Sequence, residues 1–351
     1  MRTTIFTMGW LMIAATVIPA IRSEHWAVRV FDFPRLQITI GFVLTFVGFL
    51  WLRENPTRAD NLLLILMSPC LAYQLWRMWP YTPLHLRQVK RAEQDTDGPS
   101  LGVLISNVLM TNRECGELMR LIRERDPDIM LLVETDSWWE ERLRELEPCY
   151  PHVLKYPQSN TYGMLLYSRL PLLDARIRFL VQDDVPSMHA AVQLPSGEQV
   201  QLRCLHPRPP APGENTRTTE RDAELLLVAK ELRGQDQPAV VMGDLNDVAW
   251  SGTNGLFQKI SGLLDPRIGR GFYSTFNANW PLLRFPLDHA FVTRHFKLQA
   301  FDVLPHVGSD HFPVHVRLRL SPPTTIDQNR PPSPASSGDE QAAESKIARA
   351  G

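Results

Sequence analysis

Cysteine is scarce in this chain. Its four copies, Cys70, Cys115, Cys149 and Cys204, show no CxxC or CxxxxC spacing, so neither a cysteine zinc site nor a disulfide framework is indicated. A basic surplus is missing too. The 351 residues carry a formal charge of -1, and from Asp95 to Leu320 there are 24 Lys and Arg against 29 Asp and Glu. A protein that holds nucleic acid through general backbone attraction shows a clear basic excess, so only a local basic cleft stays open here. There is no internal repeat. Large apolar side chains nearly vanish after Leu320, where Pro, Ser, Ala and charged residues run to Gly351; this composition predicts a disordered tail over 321–351.

Charge is also absent from two long apolar runs, Ile5 to Ile21 and Leu36 to Leu52. A third, Leu62 to Trp79, carries only Arg77, set among Trp76, Trp79 and Tyr81 in the pattern of a membrane-water rim. Each run has the length a bilayer-spanning helix needs, and Pro19 and Pro69 are tolerable in such helices. Residues 1–92 therefore read as a membrane anchor of about three transmembrane helices, and 93–100, Gly-Pro punctuated and polar, as a linker. Ile18-Pro19-Ala20-Ile21 lacks a clean small-x-small cleavage site, which favours an uncleaved span over a signal peptide. With three spans, Arg2, Arg53 and Arg58 lie on one side, and Arg22, Arg29, Arg35, Arg77, Arg87, Lys90 and Arg91 on the other. The positive-inside bias then puts the large domain in the cytoplasm.

From Leu101 to Leu320 the length and apolar content suffice for a full α/β core. Leu101 to Ser106 reads as a strand, Glu114 to Glu124 as a helix with Leu118, Leu121 and Ile122 on one face, and Asp128 to Val133 as a strand. Further strands are expected at Gly163 to Ser168, Met188 to Leu194, Gln199 to Leu205, Val240 to Gly243, Leu287 to Thr293 and Phe312 to Leu320. Pro195-Ser196-Gly197-Glu198 has hairpin chemistry, and Thr218 to Arg233 is a long amphipathic helix. Periodicity does not separate a doubly wound sheet from a two-sheet sandwich.

The strand ends carry the chemistry. Asn107 follows the first strand, Glu134 the second, and His206 follows Leu205; Val240-Val241-Met242 stops at Gly243 and then presents Asp244, Asn246 and Asp247. Asp288-His289 interrupts a later apolar run, and Ser309-Asp310-His311 precedes the last strand. Such oxygen donors and imidazoles suit a hard divalent cation and a phosphoryl group. Mg²⁺ needs only one or two carboxylates, so a sparse set such as Glu134 and Asp310 is enough.

Asn107, Val-Glu-Thr at 133–135, Leu-His-Pro at 205–207, Gly-Asp-Leu-Asn at 243–246, Leu-Asp-His at 287–289 and Gly-Ser-Asp-His-Phe-Pro at 308–313 occur in the order and approximate spacing of the endonuclease/exonuclease/phosphatase family. The chain resembles that family from about Leu101 to Leu320. The resemblance implies a four-layer α/β sandwich of two mixed sheets and phosphoester cleavage, usually with Mg²⁺ and with Mn²⁺ as the substitute. By matching position it implies Glu134 as main metal ligand with Asn107 and Asp310 nearby, and Asp244 and Asn246 orienting or deprotonating water. His311 would contact the scissile phosphate, Asp288 would hold its imidazole, and His206 would donate to a phosphate oxygen. Two departures stand out. Leu109 occupies a position where many nuclease members have Asp, and no carboxylate precedes Tyr162-Gly163 to orient His206. His189, His289 and His306 read as structural.

For the substrate, Arg208, Arg217 and Arg221 follow His206, the last two at i, i+4 spacing suited to gripping a flanking phosphate. Trp250, Trp280 and Arg284 lie in loops able to wall a groove by stacking. The expected partners are a phosphoester, either nucleic acid or phospholipid head group, and a lipid bilayer. Three readings compete: a membrane-anchored phosphodiesterase or nuclease, a lipid or inositol phosphatase on the same scaffold, and an inactive membrane-bound binding module.

Overall fold

The computed structural model describes residues 2–21, 23–51, 56–93, 98–321, 327–328 and 331–351. Helices α1 (Arg2–Val17), α3 (Arg35–Trp51) and α4 (Arg58–Met78) pack on one another, with a single turn, α2 (Trp26–Arg29), between the first two. Their shared interior holds Phe42, Leu63 and Met67, while Leu44, Val47, Ile65 and Trp76 face outward. A polar thread crosses this interior at one end: Arg35 donates to Gln74 Oε1 at 3.2 Å, and Gln74 donates to Thr16 Oγ1 at 3.0 Å. Apart from this thread, the bundle is apolar on its outer face as well as in its interior, unlike a water-soluble bundle with a polar outer face. Thr3–Ala20 and Arg58–Tyr81 are long and apolar enough to cross a membrane; the other expected span, Leu36 to Leu52, falls in the 17-residue α3, which reaches that length only together with Trp26–Asp32, at a bend of 65°. Arg22, Arg53 and most of the expected linker, 94–97, lie outside the described residues.

The remainder is a four-layer α/β sandwich. Its strands are β1 (Ser100–Asn107), β2 (Ile129–Val133), β3 (His152–Tyr156), β4 (Met164–Ser168), β5 (Leu172–Arg178), β6 (Ser187–Gln193), β7 (Gln199–Cys204), β8 (Ala239–Asp244), β9 (Asp288–Val292), β10 (Phe296–Val303) and β11 (Val314–Leu320). One sheet runs β10-β11-β1-β2-β4-β3 and the other β5-β6-β7-β8-β9. Only β1 with β2 and β7 with β8 are parallel, so both sheets are mixed. Helices α5 (Gly116–Arg125) and α6 (Ser137–Leu143) cover the outer face of the first sheet; α7 (Thr219–Leu232) and α8 (Gly252–Ser261) cover the second.

Covered on both faces, β2 is apolar throughout and β8 from Ala239 to Met242, as β1 is over most of its length, which is why they read as continuous runs. Strand parity still divides them. Leu101, Val103 and Ile105 of β1 face the space between the sheets, as do Val240 and Met242 of β8, whereas Leu104 and Val241 face the outer helices. The period of two therefore carries Asn107 and Asp244, next in each inner series, toward each other. In β9, Ala290 and Val292 are inner and Phe291 outer, so parity sends Asp288 inward and His289 outward.

The tail departs from expectation. Residues 322–326 and 329–330 lie outside the described residues, but α9 (Ser337–Ala348) is an ordered helix. A capping box of Ser336 and Asp339 starts it. Ala343 is fully buried against α7 and α8, and Lys346 donates to Asp222 at 2.6 Å. Small side chains and ion pairs dock it, so the shortage of large apolar residues that suggested disorder does not prevent packing.

Glu224 of α7 is buried, and its Oε1 has no hydrogen-bond partner among the described residues. Burial lifts its pKa from 4.5 to about 8. The folded state thus retains this proton longer than the unfolded chain, and stability falls as pH rises from about 4.5 to about 8. Glu224→Gln is expected to raise the unfolding temperature, with a gap over the parent protein that widens between those pH values; thermal unfolding across pH measures it.

Candidate active site

Polar groups converge where the strands of both sheets end. Asn107 donates through Nδ2 to Glu134 Oε1 at 2.7 Å and to Asp244 Oδ2 at 3.0 Å, joining a carboxylate from each sheet. Glu134 follows an inward Val133 and should turn away by parity, but its left-handed backbone, φ 60°, swings it back. A non-glycine residue held there is strained. Gly243 solves a neighbouring problem: its φ is 143°, and a Cβ would stand 1.9 Å from the carbonyl oxygen of Leu205. No side chain fits, so β7 and β8 approach closely enough to bring His206 and Asp244 together.

His311 lies at the centre. Its Nδ1 is 2.8 Å from Asp288 Oδ2, and its Nε2 is 3.5 Å from Asp244 Oδ2. Burial works against a charged ring, but Asp288 and Asp244 outweigh it and raise the pKa to about 10. His206, with Nε2 3.8 Å from Asp244 Oδ2, is the opposite case. Burial dominates there and lowers its pKa to about 4, so it is neutral at pH 7. In place of the carboxylate sought in the sequence, the Tyr162 ring lies against it with centroids 5.6 Å apart. The site thus holds one imidazolium and one neutral imidazole.

Burial, and secondarily the nearby Asp244 and Asp310, push the Glu134 carboxyl up to about 7. Asp310 Oδ1 is buried and has no hydrogen-bond partner among the described residues. Asp244, Asp288 and His311 offer ligand atoms within 4.8 Å of one another, and the imidazolium offsets only one of the two carboxylates. Glu134 and Asp310 form no ion pair with Lys or Arg among the described residues and add to this excess of carboxyl groups. Such an excess fits a hard divalent cation bound by oxygen.

These groups open on a cavity of about 600 Å³, lined by Glu134, His206, Asp244, Asn246, Asp310 and His311 at its polar end. Asn107 and Asp288 sit just behind. Asn246 holds the floor, donating from Nδ2 to Pro207 O at 3.0 Å and from its backbone to Asp244 Oδ1 at 3.0 Å. The rest of the wall is mostly apolar, with Phe276, Leu283, Phe285 and Leu287 from one loop and Val30, Phe33 and Pro34 from the segment ahead of α3, while Thr161, Tyr162 and Glu214 add polar groups.

Three residues expected at the substrate are elsewhere. Arg221 is buried behind the site, donating to Asn246 O at 2.6 Å and pairing with Asp222 at 2.8 Å and Asp247 at 3.3 Å. Trp250 is buried at the seam with the N-terminal region, its Nε1 donating to Asp32 O at 2.7 Å. Arg217 is exposed and outside the cavity lining. Helical spacing and loop position in the sequence say nothing of burial, which decided all three. Among the histidines read as structural, His289 is fixed between Arg267 at 2.6 Å and Asp247 O at 2.8 Å. Sequence reasoning missed the cavity wall at 30–34, because nothing in that stretch resembles a catalytic motif.

A family model described as the Endonuclease/Exonuclease/phosphatase family matches residues 106–311. Solved structures share the fold. An endonuclease/exonuclease/phosphatase from Beutenbergia cavernae is 19% identical over 64% of this chain and 72% of that one, with TM-score 0.52. TDP2 of D. rerio, solved with a single-strand DNA product, is 15% identical over 63% and 99%, with TM-score 0.51. A mannosyl-6-phosphatase of Bacteroides thetaiotaomicron is 18% identical over 62% and 99%, with TM-score 0.51. A comparison with curated proteins finds no match.

Two substitutions probe this geometry. Asp288→Asn is expected to lower the His311 pKa by on the order of a unit or more, read by NMR titration of the ring; an unmoved pKa would contradict the pairing. Arg221→Ala leaves Asp247 buried without its cation and Asp222 with Lys346 alone, and is expected to cost about 3–5 kcal/mol of stability, seen in denaturant unfolding, whereas Arg217→Ala changes little.

Proposed function

Because the chain belongs to the endonuclease/exonuclease/phosphatase family, we propose that it is a membrane-anchored phosphoesterase that uses a divalent cation, Mg²⁺ or Mn²⁺, to hydrolyse a P–O bond with water. The observation carrying this reading is the placing of two carboxyl groups that no Lys or Arg pairs with among the described residues, Glu134 and Asp310, beside the charged His311 in one cavity. An intact set of this kind speaks against an inactive binding module.

Glu134 and Asp310, with Asn107 beside Glu134, would hold the cation. When bound, it neutralises phosphate charge and stabilises the leaving oxygen. Asp244, free to accept at the cavity, orients water and takes its proton, while Asn246 keeps Asp244 and the following loop in place. His311 donates from Nε2 to a phosphoryl oxygen, and Asp288 fixes its tautomer and supports its charge. His206, neutral, offers a second donor as charge grows on that oxygen.

The anchor reading rests on the apolar outer face of the α1, α3 and α4 bundle. By the excess of Lys and Arg at the domain-side ends of these helices, the catalytic domain faces the cytoplasm. Between substrates, the DNA product bound to D. rerio TDP2 favours a nucleic acid and the mannosyl-6-phosphatase a phosphomonoester. The surplus of acidic residues in this domain disfavours nonspecific nucleic-acid binding.

The purified full chain is expected to hydrolyse bis(p-nitrophenyl) phosphate or p-nitrophenyl phosphate, to lose that activity on chelation and to recover it with Mg²⁺ or Mn²⁺. Glu134→Ala and His311→Ala should each reduce turnover by roughly 10²–10³-fold. Turnover indifferent to both substitutions would sink the assignment.

A further inference from the structure

The catalytic cavity concentrates its polar groups at one end. Its other walls are mostly apolar, with Val30, Phe33, Leu283 and Phe285 among them and Thr161, Tyr162 and Glu214 as the polar exceptions, and among the described residues no Lys or Arg lines it to hold a polynucleotide backbone. Val30, Phe33 and Pro34 of that apolar wall come from the N-terminal segment that leads into α3.

The loop that supplies Leu283 and Phe285 has an unusual surface. Trp280 is 64% exposed and Leu282 84%. Among the described residues between 101 and 320, the only large apolar side chains exposed outside this loop are Val153 and Phe179. The tip is also fixed in space: Gln37, in the first turn of α3, donates to Leu282 O at 3.1 Å and to Arg284 O at 3.3 Å. Directly along α3 come the outward-facing Ile40, Val43 and Leu44. The loop tip therefore continues the apolar belt of the helix bundle at its domain-side end, where Trp and aliphatic side chains settle into a bilayer interface.

Resting on the phosphoesterase reading, we propose that the 280–283 loop inserts into the lipid surface, so that the cavity opens onto the bilayer and takes a lipid phosphoester. The phosphate lies among Glu134, His206, Asp310 and His311, and the apolar part of the lipid lies along Val30, Phe33, Leu283 and Phe285. Water adds to phosphorus, the P–O bond to the leaving group breaks, and the leaving oxygen takes up a proton as the water loses one. No other reactant is needed.

The test uses the full chain reconstituted in phosphatidylcholine vesicles that carry phosphatidic acid and phosphatidylglycerol, beside soluble p-nitrophenyl phosphates and a single-stranded DNA oligonucleotide. Trp280→Glu with Leu282→Glu, and the milder Leu282→Ser, leave the catalytic groups in place. The expected result is release of phosphate or head group from the vesicles, reduced about tenfold or more in the double variant, with soluble turnover unchanged. Soluble turnover without lipid turnover, lipid turnover indifferent to the double variant, or faster cleavage of the oligonucleotide than of lipid overturns the proposal and leaves the phosphoesterase reading standing. Absence of turnover on every probe, or turnover that survives Glu134→Ala, overturns the phosphoesterase reading itself.

Discussion

One side-chain amide sets the terms of the site. Asn107 holds Glu134 of one sheet and Asp244 of the other by two hydrogen bonds. Away from this polar end, the cluster packed between the sheets is apolar and direction-free. The amide fixes how closely two carboxylates face each other where water is scarce, and the neighbouring charges respond to that distance. Glu134 resists ionisation, His311 is charged, and a place remains for a cation.

The two histidines show how local the control is. Both are buried near Asp244, but His311 has Asp288 bonded to its far nitrogen, while His206 has an aromatic ring at its side and a positive neighbour. Burial alone would make both neutral. A single extra carboxylate, delivered by the inward parity of β9, separates their states and so divides the work between them.

Much of this was legible in the sequence, because β1, β2 and β8 are apolar runs that stop at polar residues, and because the polar residues around them and beside β7, β9 and β11 have a distinctive spacing. The eight residues read as catalytic or metal-binding do come together. What escaped were elements with mixed or weak patterning. β3 and β5 lie at sheet edges and expose part of their length. β10, also an edge strand, carries Lys297, Gln299 and Asp302 among its apolar positions. α9 docks with alanine and ion pairs. Arg221 and Trp250 were misread for a different reason: charge and aromaticity in a loop or on a helix suit a ligand or an interior equally, and only the fold shows that Asp222, Asp247 and Asp32 already engage them. The wall at 30–34 was invisible because it comes from the segment taken as mere anchor.

The strand order carries a consequence for biosynthesis. β11, nearly the last part of the domain to be made, lies between β10 and β1 in the interior of its sheet, and His311 enters the site just ahead of it. The helices α1, α3 and α4 leave the ribosome some two hundred residues earlier. A chain still in translation therefore has its apolar helices in place while its first sheet is open and its imidazolium is missing. Long-range closures of this kind come late in folding, so a truncated or stalled product is inert, and hydrolytic capacity arises only once the chain is nearly whole.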